Sequence, residues 1–380
     1  MTALTDARSS MATGGAARGA LIVTAEAWLS DLEVETLRTD AVQSFVKQET
    51  VFVRIRTRDG VEGVGYSYTI GTGGAAVVAL LRGGLLERLI GLDASRPEEV
   101  WSTLFSLTRA TTVGLITSLA LAAVDTAIWD ARGKLTQQPL WRLAGGARPA
   151  IPLYDTEGGW LHIDADELVA QATASAARGW NGVKIKVGKP NGQEDAERLA
   201  AVRAAVGDGF DIMVDANQSM TAAEAIRRAR LFEPLDIFWF EEPLPADDVD
   251  GHRRLAEATS IPIAVGESMY SLGHFREYLQ RAAASVVQVD VARIGGITPW
   301  LKVAHLAEAF NVAIAPHFLM ELHVSLSCAV PNAIYLEHIP QLRAVTRREL
   351  EVVDGCALAP ESPGLGIDWD DEAVAARRVL

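Results

Sequence analysis

The chain is poor in several things whose absence narrows the choices. It has two cysteines in 380 residues, Cys328 and Cys356. They have no CxxC spacing, so neither a zinc ribbon nor a redox pair is suggested, and both read as small buried apolar groups. So little cysteine fits a reducing cytoplasm. Long apolar runs are missing too: the longest, Leu115 to Trp129, contains Asp125 and is too short and too polar to span a bilayer. Positive charge is scarce, with 35 Lys and Arg against 49 Asp and Glu, a net charge of -14. That balance argues against nucleic acid and anionic membranes as partners. It does not argue against a small anionic substrate, because one bound metal ion can reverse the local sign. Residues 1–18, rich in Ala, Gly, Ser and Thr, have no apolar core ahead of a cleavage site, and read as a loose tail rather than a signal peptide.

What is present suits two domains. Apolar residues make up 49% of the chain, enough for a large core. Residues 19–145 read as an α+β unit. Leu21–Val23, Val51–Ile55 and Val61–Gly65 are strand-like, with a turn at Asp59-Gly60. Helices follow over 75–143, one opened by Arg96-Pro97 and a long one over Leu115–Lys134.

After Gly145-Gly146 the rhythm changes. Eight short apolar runs alternate with helical segments: 151–154, 182–185, 211–214, 237–240, 262–265, 285–289, 312–315 and 333–336. Such runs suit parallel strands buried on both faces. Asp164 can cap one intervening helix, and Thr221-Ala-Ala-Glu224 fits a capping box on another. Eight βα units in succession predict a closed (β/α)8 barrel over 146–355, an α/β fold of TIM type. The segment 356–380 lacks the rhythm and is expected to return to the first domain, which would cap the barrel.

In such barrels chemistry sits at the C-terminal ends of the strands. The second run leads to Lys184 and Lys186, the third to Asp215 and Asn217, the fourth to Glu241 and Glu242. The fifth leads to Glu267, the sixth to Asp290, the seventh to His317 and the eighth to Glu337. Surface charges have no reason to respect strand ends. Asp215, Glu241 and Glu267 are 26 residues apart each time. Adjacent strands lie ~4.8 Å apart, so the three carboxylates can converge, and their mutual repulsion then demands a cation. Ligation by oxygen alone suggests a hard ion such as Mg2+, one per subunit. Lys184 and Lys186 alternate on one strand and face the mouth together, and two like charges lower a lysine pKa towards that of a useful base. Asp290 can orient one nitrogen of His317 and leave the other free as a base. The other histidines, His323 among them, show no such alignment and read as surface or loop groups.

Lys184-x-Lys186, Asp215-x-Asn217, Glu241-Glu242-Pro243, Gly266-Glu267, Asp290, His317 and Glu337 together resemble the enolase superfamily in its mandelate racemase subgroup. The resemblance runs from the first strands to Gly364-x-Gly366. It implies removal of the proton next to a carboxylate by a Lys or His base, with Mg2+ present. It also implies that Asp215, Glu241 and Glu267 bind Mg2+. Lys184 would contact the substrate carboxylate, Lys186 act as one base and the His317–Asp290 pair as the other. Glu337 would donate to the substrate carboxylate, and Asn217 contact a substrate hydroxyl. A homo-oligomer is a further implication.

Substrate choice should rest on first-domain loops near 38–49 and 66–74. Gly65–Tyr68, Tyr154–His162, Lys186–Asn191 and Ala315–His323 look most similar to acid-sugar dehydratases of the talarate/galactarate type. Tyr66 is expected to touch substrate, and Phe45, Tyr68 and Trp160 could line an aromatic pocket. Lys47, Gln48 and Arg109 could bind a distal carboxylate, although each reads more simply as a solvated side chain. Dehydration of an acid sugar to a 2-keto-3-deoxy acid is the leading expectation. A racemase or epimerase of a 2-hydroxy acid needs the same two bases and stays open, as does a cycloisomerase. A barrel kept only for binding is disfavoured by so complete a set of strand-end groups.

Overall fold

The computed structural model describes residues 19–45 and 47–380, so the tail expected over 1–18 lies outside the described residues. Three antiparallel strands open the chain: β1 (Ile22–Glu33), β2 (Lys47–Thr57) and β3 (Glu62–Thr69), paired in the order β1-β2-β3. All three run longer than their apolar segments, because pairing extends past the hydrophobic stretch. The β2–β3 turn passes through Gly60 at φ 84°, a conformation that favours glycine. Helix Pro97–Thr108 starts on its proline, and helix Leu115–Thr136 packs across the sheet. Gly63 and Gly65 on β3 let that helix come close, since a Cβ on either would meet the helix backbone at 2.2 and 2.1 Å.

Eight parallel strands form the barrel: β4 (Ala150–Asp155), β5 (Gly182–Lys186), β6 (Asp211–Asp215), β7 (Ile237–Glu241), β8 (Ile263–Val265), β9 (Val286–Val287), β10 (Ala313–Ile314) and β11 (Leu336–His338). Each pairs with the next from β4 to β10, and β11 pairs with β4. The seam between β10 and β11 closes through one parallel bridge, Ile314 to Ala333. The eight expected runs therefore all contribute to the barrel. The last is displaced: its ladder lies at 336–338, and the run meets β10 only around Ala333, where the Ile314 amide donates to the Asn332 carbonyl and the Ile334 amide to the Ile314 carbonyl, each at 2.9 Å. Inside the ring Tyr154, Met213, Trp239, Ala264, Val286, Ala315 and Tyr335 form a plug. Helix caps follow the sequence: Asp164 accepts from the Glu167 amide and Thr221 from the Glu224 amide.

The chain after the barrel first makes a hairpin, β12 (Val352–Val353) with β13 (Cys356–Leu358), and β13 pairs antiparallel with β4. A boundary drawn at 356 thus divides a hairpin that belongs to the barrel. The remainder then reaches the first domain. Trp369 packs edge-on against Phe52 and Tyr66, and the Leu29 amide donates to the Leu380 carbonyl at 3.1 Å. No helix among the described residues is long and apolar enough to cross a membrane.

Candidate active site

The ladder itself lines up the first groups. Lys186 is paired with Asp215 across β5 and β6, and Asp215 with Glu241 across β6 and β7. Side chains alternate along a strand, so all three point into the mouth with Lys184 one repeat below. The Lys186 Nζ donates to Asp215 Oδ2 at 2.5 Å. The Lys184 Nζ lies 2.8 Å from Glu241 Oε1, 2.8 Å from Glu337 Oε1 and 3.5 Å from Asp215 Oδ2. Glu267 follows β8 through Gly266 at φ 146°, where a Cβ would press on the Gln288 backbone at 2.9 Å.

One oxygen from each of Asp215, Glu241 and Glu267 lies within 4.8 Å of the others, and all three residues are buried. Two features fit this trio to a cation. Burial and then the charge of Asp215 push the Glu241 carboxyl up to about 8, despite the opposing pull of Lys184. Glu267 Oε2 is buried without a hydrogen-bond partner among the described residues. A divalent, oxygen-seeking ion would relieve both.

The lysines depart from expectation. Burial, the largest influence, pulls Lys186 down, but Asp215 with Glu267 and Glu241 outweighs it, and the group is held above its ordinary value. Lys184 is raised further, with Glu241 and Glu337 overcoming burial. Lys184 does depress Lys186, as expected, but the carboxylates around the two lysines are more numerous and together outweigh that effect. Glu337 is also corrected. It accepts from Thr156 Oγ1 at 2.7 Å and from the Phe318 amide at 2.7 Å, besides its contact with Lys184. Burial raises its pKa, but Lys184 and His317 lower it more, and in all three contacts Glu337 is on the accepting side rather than the donating one.

On the far side His317 Nδ1 lies 2.9 Å from Asp290 Oδ2. Asp290 also accepts from Tyr68 Oη at 2.7 Å and from the Ala292 and Arg293 amides at 2.7 and 3.1 Å. Burial opposes its ionisation, but the His317 hydrogen bond and charge bring it down to about 2. Burial likewise opposes charge on His317, and Glu267 and Asp290 together raise it. The other nitrogen, Nε2, lies 3.4 Å from Glu267 Oε2 and faces the cavity.

One cavity collects Lys184, Lys186, Asn217, Glu267, His317 and Glu337. Its roof comes from the first domain through Gln43, Phe45 and Ile70. Phe45 meets Trp160 edge-on at 5.6 Å. Arg38 ties that roof down, bonding Gln341 Oε1 at 3.1 Å, the Pro340 carbonyl at 3.0 Å and Glu157 at 2.5 Å.

Tyr66 is not brought to the cavity. Its ring is fully buried against Trp369 and its hydroxyl has no partner among the described residues. Tyr68, two residues on and therefore on the same face of β3, is the one that reaches Asp290. Lys47 pairs with Asp31 at 2.8 Å, Gln48 is buried beside Thr50, and Arg109 is exposed; none of the three lines the cavity. Sequence reasoning gave no role to Thr156 or Arg293, both of which line it. Their signal was position: Thr156 directly follows β4, and Arg293 lies three residues after Asp290 in the loop that follows β9. Arg293 donates to the Glu267 carbonyl at 3.0 Å and sits over the Tyr68 ring at 5.8 Å.

Two family models match the chain. Residues 29–145 match the mandelate racemase / muconate lactonizing enzyme N-terminal domain, and residues 167–373 the enolase C-terminal domain-like family. The chain belongs to the enolase superfamily, in its mandelate racemase subgroup. Among superfamily members, it is 38% identical to the L-talarate/galactarate dehydratase of Salmonella typhimurium, over 85% of this chain and 81% of that one. It is equally 38% identical to the 3,6-anhydro-alpha-L-galactonate cycloisomerase of Streptomyces coelicolor, over 85% of this chain and 90% of that one. The crystal structure of L-talarate dehydratase from Polaromonas sp. JS666, complexed with Mg and L-glucarate, matches with a TM-score of 0.90 at 36% identity, covering 95% of this chain and 98% of that chain.

Proposed function

We propose that this enolase-superfamily enzyme dehydrates an acid sugar to a 2-keto-3-deoxy acid, with Mg2+ held by Asp215, Glu241 and Glu267. The observation that carries the reading is the presence of two candidate bases, Lys186 and His317, in one cavity beside the acidic trio. The cation, when bound, supplies positive charge against the dianion that forms when a carboxylate loses its α-proton. Lys186 takes that proton in its neutral form, which requires Asp215 to be engaged elsewhere than on Nζ. In this reading Lys184 contacts the substrate carboxylate and Asn217 a hydroxyl; both line the cavity. The electron pair of the broken C–H bond then expels the hydroxyl on the next carbon. The His317 imidazolium, held by Asp290, gives that hydroxyl its proton, so that water leaves, and the resulting enol becomes the keto acid.

The cycloisomerase relative, at the same identity as the dehydratase, supports a second reading in which ring opening replaces loss of water. The test is incubation of the purified protein with Mg2+ and a panel of mono- and diacid sugars, together with 3,6-anhydro-α-L-galactonate, with an EDTA control. Metal-dependent 2-keto acid from an open-chain acid supports dehydration. Turnover of the anhydro sugar alone replaces it with cycloisomerisation. Exchange of the α-proton in D2O without net product would replace both with racemisation.

A further inference from the structure

His323 lies in helix Met320–Ala329, is fully buried, and takes no part in the chemistry above. Its Nε2 accepts from the Val291 amide at 3.1 Å, and its Nδ1 is 3.0 Å from the Phe318 carbonyl. An amide N–H can only donate and a carbonyl can only accept, so Nε2 is bare and Nδ1 carries the hydrogen. Burial brings the ring down to about 4, in keeping with a neutral imidazole.

The two anchor points matter because of what precedes them. Val291 directly follows Asp290, and Phe318 directly follows His317. The backbone after His317 is strained, with Phe318 at φ 60° and Leu319 at φ 26°. The Phe318 amide is held from its other side by Glu337 Oε2 at 2.7 Å. Asp290 is likewise fixed from behind, since Trp300 Nε1 donates to the Val289 carbonyl at 3.1 Å. A single imidazole thus spans the two segments that must stay in register for the 2.9 Å contact between His317 and Asp290.

We propose that His323 is a positioning residue for His317, clamping the backbones of Asp290 and His317 together through its two ring nitrogens. The inference rests on the reading of His317 with Asp290 as an acid–base pair, but its test does not depend on turnover. A hydrophobic ring of similar size would fill the space and leave the Val291 N–H and Phe318 C=O buried without partners, so the strained turn would relax. Glutamine, whose side-chain amide offers an NH2 to donate and an oxygen to accept, can keep both contacts.

The experiment is NMR of the full chain carrying ring-15N histidine, with no substrate or metal added. The His317 Nδ1–H signal, protected by Asp290 and assigned by its loss in His317→Gln, is the readout. In His323→Phe, shown to be folded by circular dichroism, it should broaden or vanish. In His323→Gln it should persist. An unchanged His317 signal in folded His323→Phe overturns the proposal. Should His323→Phe fail to fold, the wild-type ring decides. A neutral Nδ1–H tautomer at His323, with the His317 signal kept in His323→Gln, supports the clamp; a charged ring or an Nε2–H tautomer overturns it. Failure of the acid-sugar panel would leave these outcomes unaltered.

Discussion

Lys186 and Asp215 face each other across the β5–β6 ladder, and the lysine donates to the carboxylate at 2.5 Å. A lysine held this way is charged and cannot act as a base. A cation held by Asp215 would draw on the same carboxylate, so metal binding is expected to free the lysine. Removal of divalent ions with EDTA should abolish turnover, and Mg2+ should restore it. Glu267→Gln should weaken Mg2+ binding, measured calorimetrically, by at least ~10-fold. Undiminished activity in EDTA would refute this coupling.

Each base should be separately indispensable. Lys186→Met and His317→Asn should each lower kcat by about 10²–10⁴-fold while leaving the fold intact. Deuterium incorporation at the α-carbon checks which step is lost. Loss in Lys186→Met with retention in His317→Asn would place His317 after proton removal, at departure of the hydroxyl.

The two tyrosines of β3 should behave differently. Tyr68→Phe removes a donor from Asp290, a hydrogen bond to a charged group of the kind contributing about 1.5–3 kcal/mol, and should lower both Tm and kcat. Tyr66→Phe removes a buried hydroxyl that bonds to no described residue, and should leave kinetics unchanged and stability equal or slightly higher. Paired thermal melts and rate measurements on the two variants test the assignment.

Asp125 predicts a pH effect on stability away from the cation site. It is buried in helix Leu115–Thr136 and accepts from the Thr298 amide at 2.8 Å and Thr298 Oγ1 at 2.7 Å, joining the cap to the barrel. Burial outweighs those bonds and pushes the carboxyl from 3.8 up to about 7. A folded value above the unfolded one means that the contribution is present below about pH 4 and is lost as pH rises to about 7. Asp125→Asn stays neutral, so its unfolding free energy should gain on the wild type across this range. The ceiling on that gain is ~4 kcal/mol. Denaturant melts at pH 5 and pH 8 give the answer, and a constant difference between the two chains would contradict it.

The barrel was legible because strands buried on both faces leave uninterrupted apolar runs, and because ionisable residues directly follow them. Asp215, Glu241 and Glu267 needed only that periodicity to be placed together. What sequence could not supply was distance between remote segments. Tyr68 and Asp290 are 222 positions apart, and only the packing of cap on barrel brings them into contact. The same holds for Tyr66, whose neighbour Trp369 comes from the returning C-terminal segment. The lysines were misjudged electrostatically: alternation on β5 is visible in sequence, whereas the number of carboxylates within reach of each Nζ is not. His323, set aside as one more histidine without alignment, owes its place to the turn that starts a helix, where no periodic signal exists.

The return of the chain to its first sheet also bears on how the protein is made. Trp369 covers Phe52 and Tyr66, and β1 receives the Leu380 carbonyl. A ribosome delivers β1 first and Trp369 more than three hundred residues later. Until then Phe52 and Tyr66 lack that cover, although Tyr68 beside them can already meet Phe318. The cap is therefore begun before the eight barrel strands emerge and completed only after them.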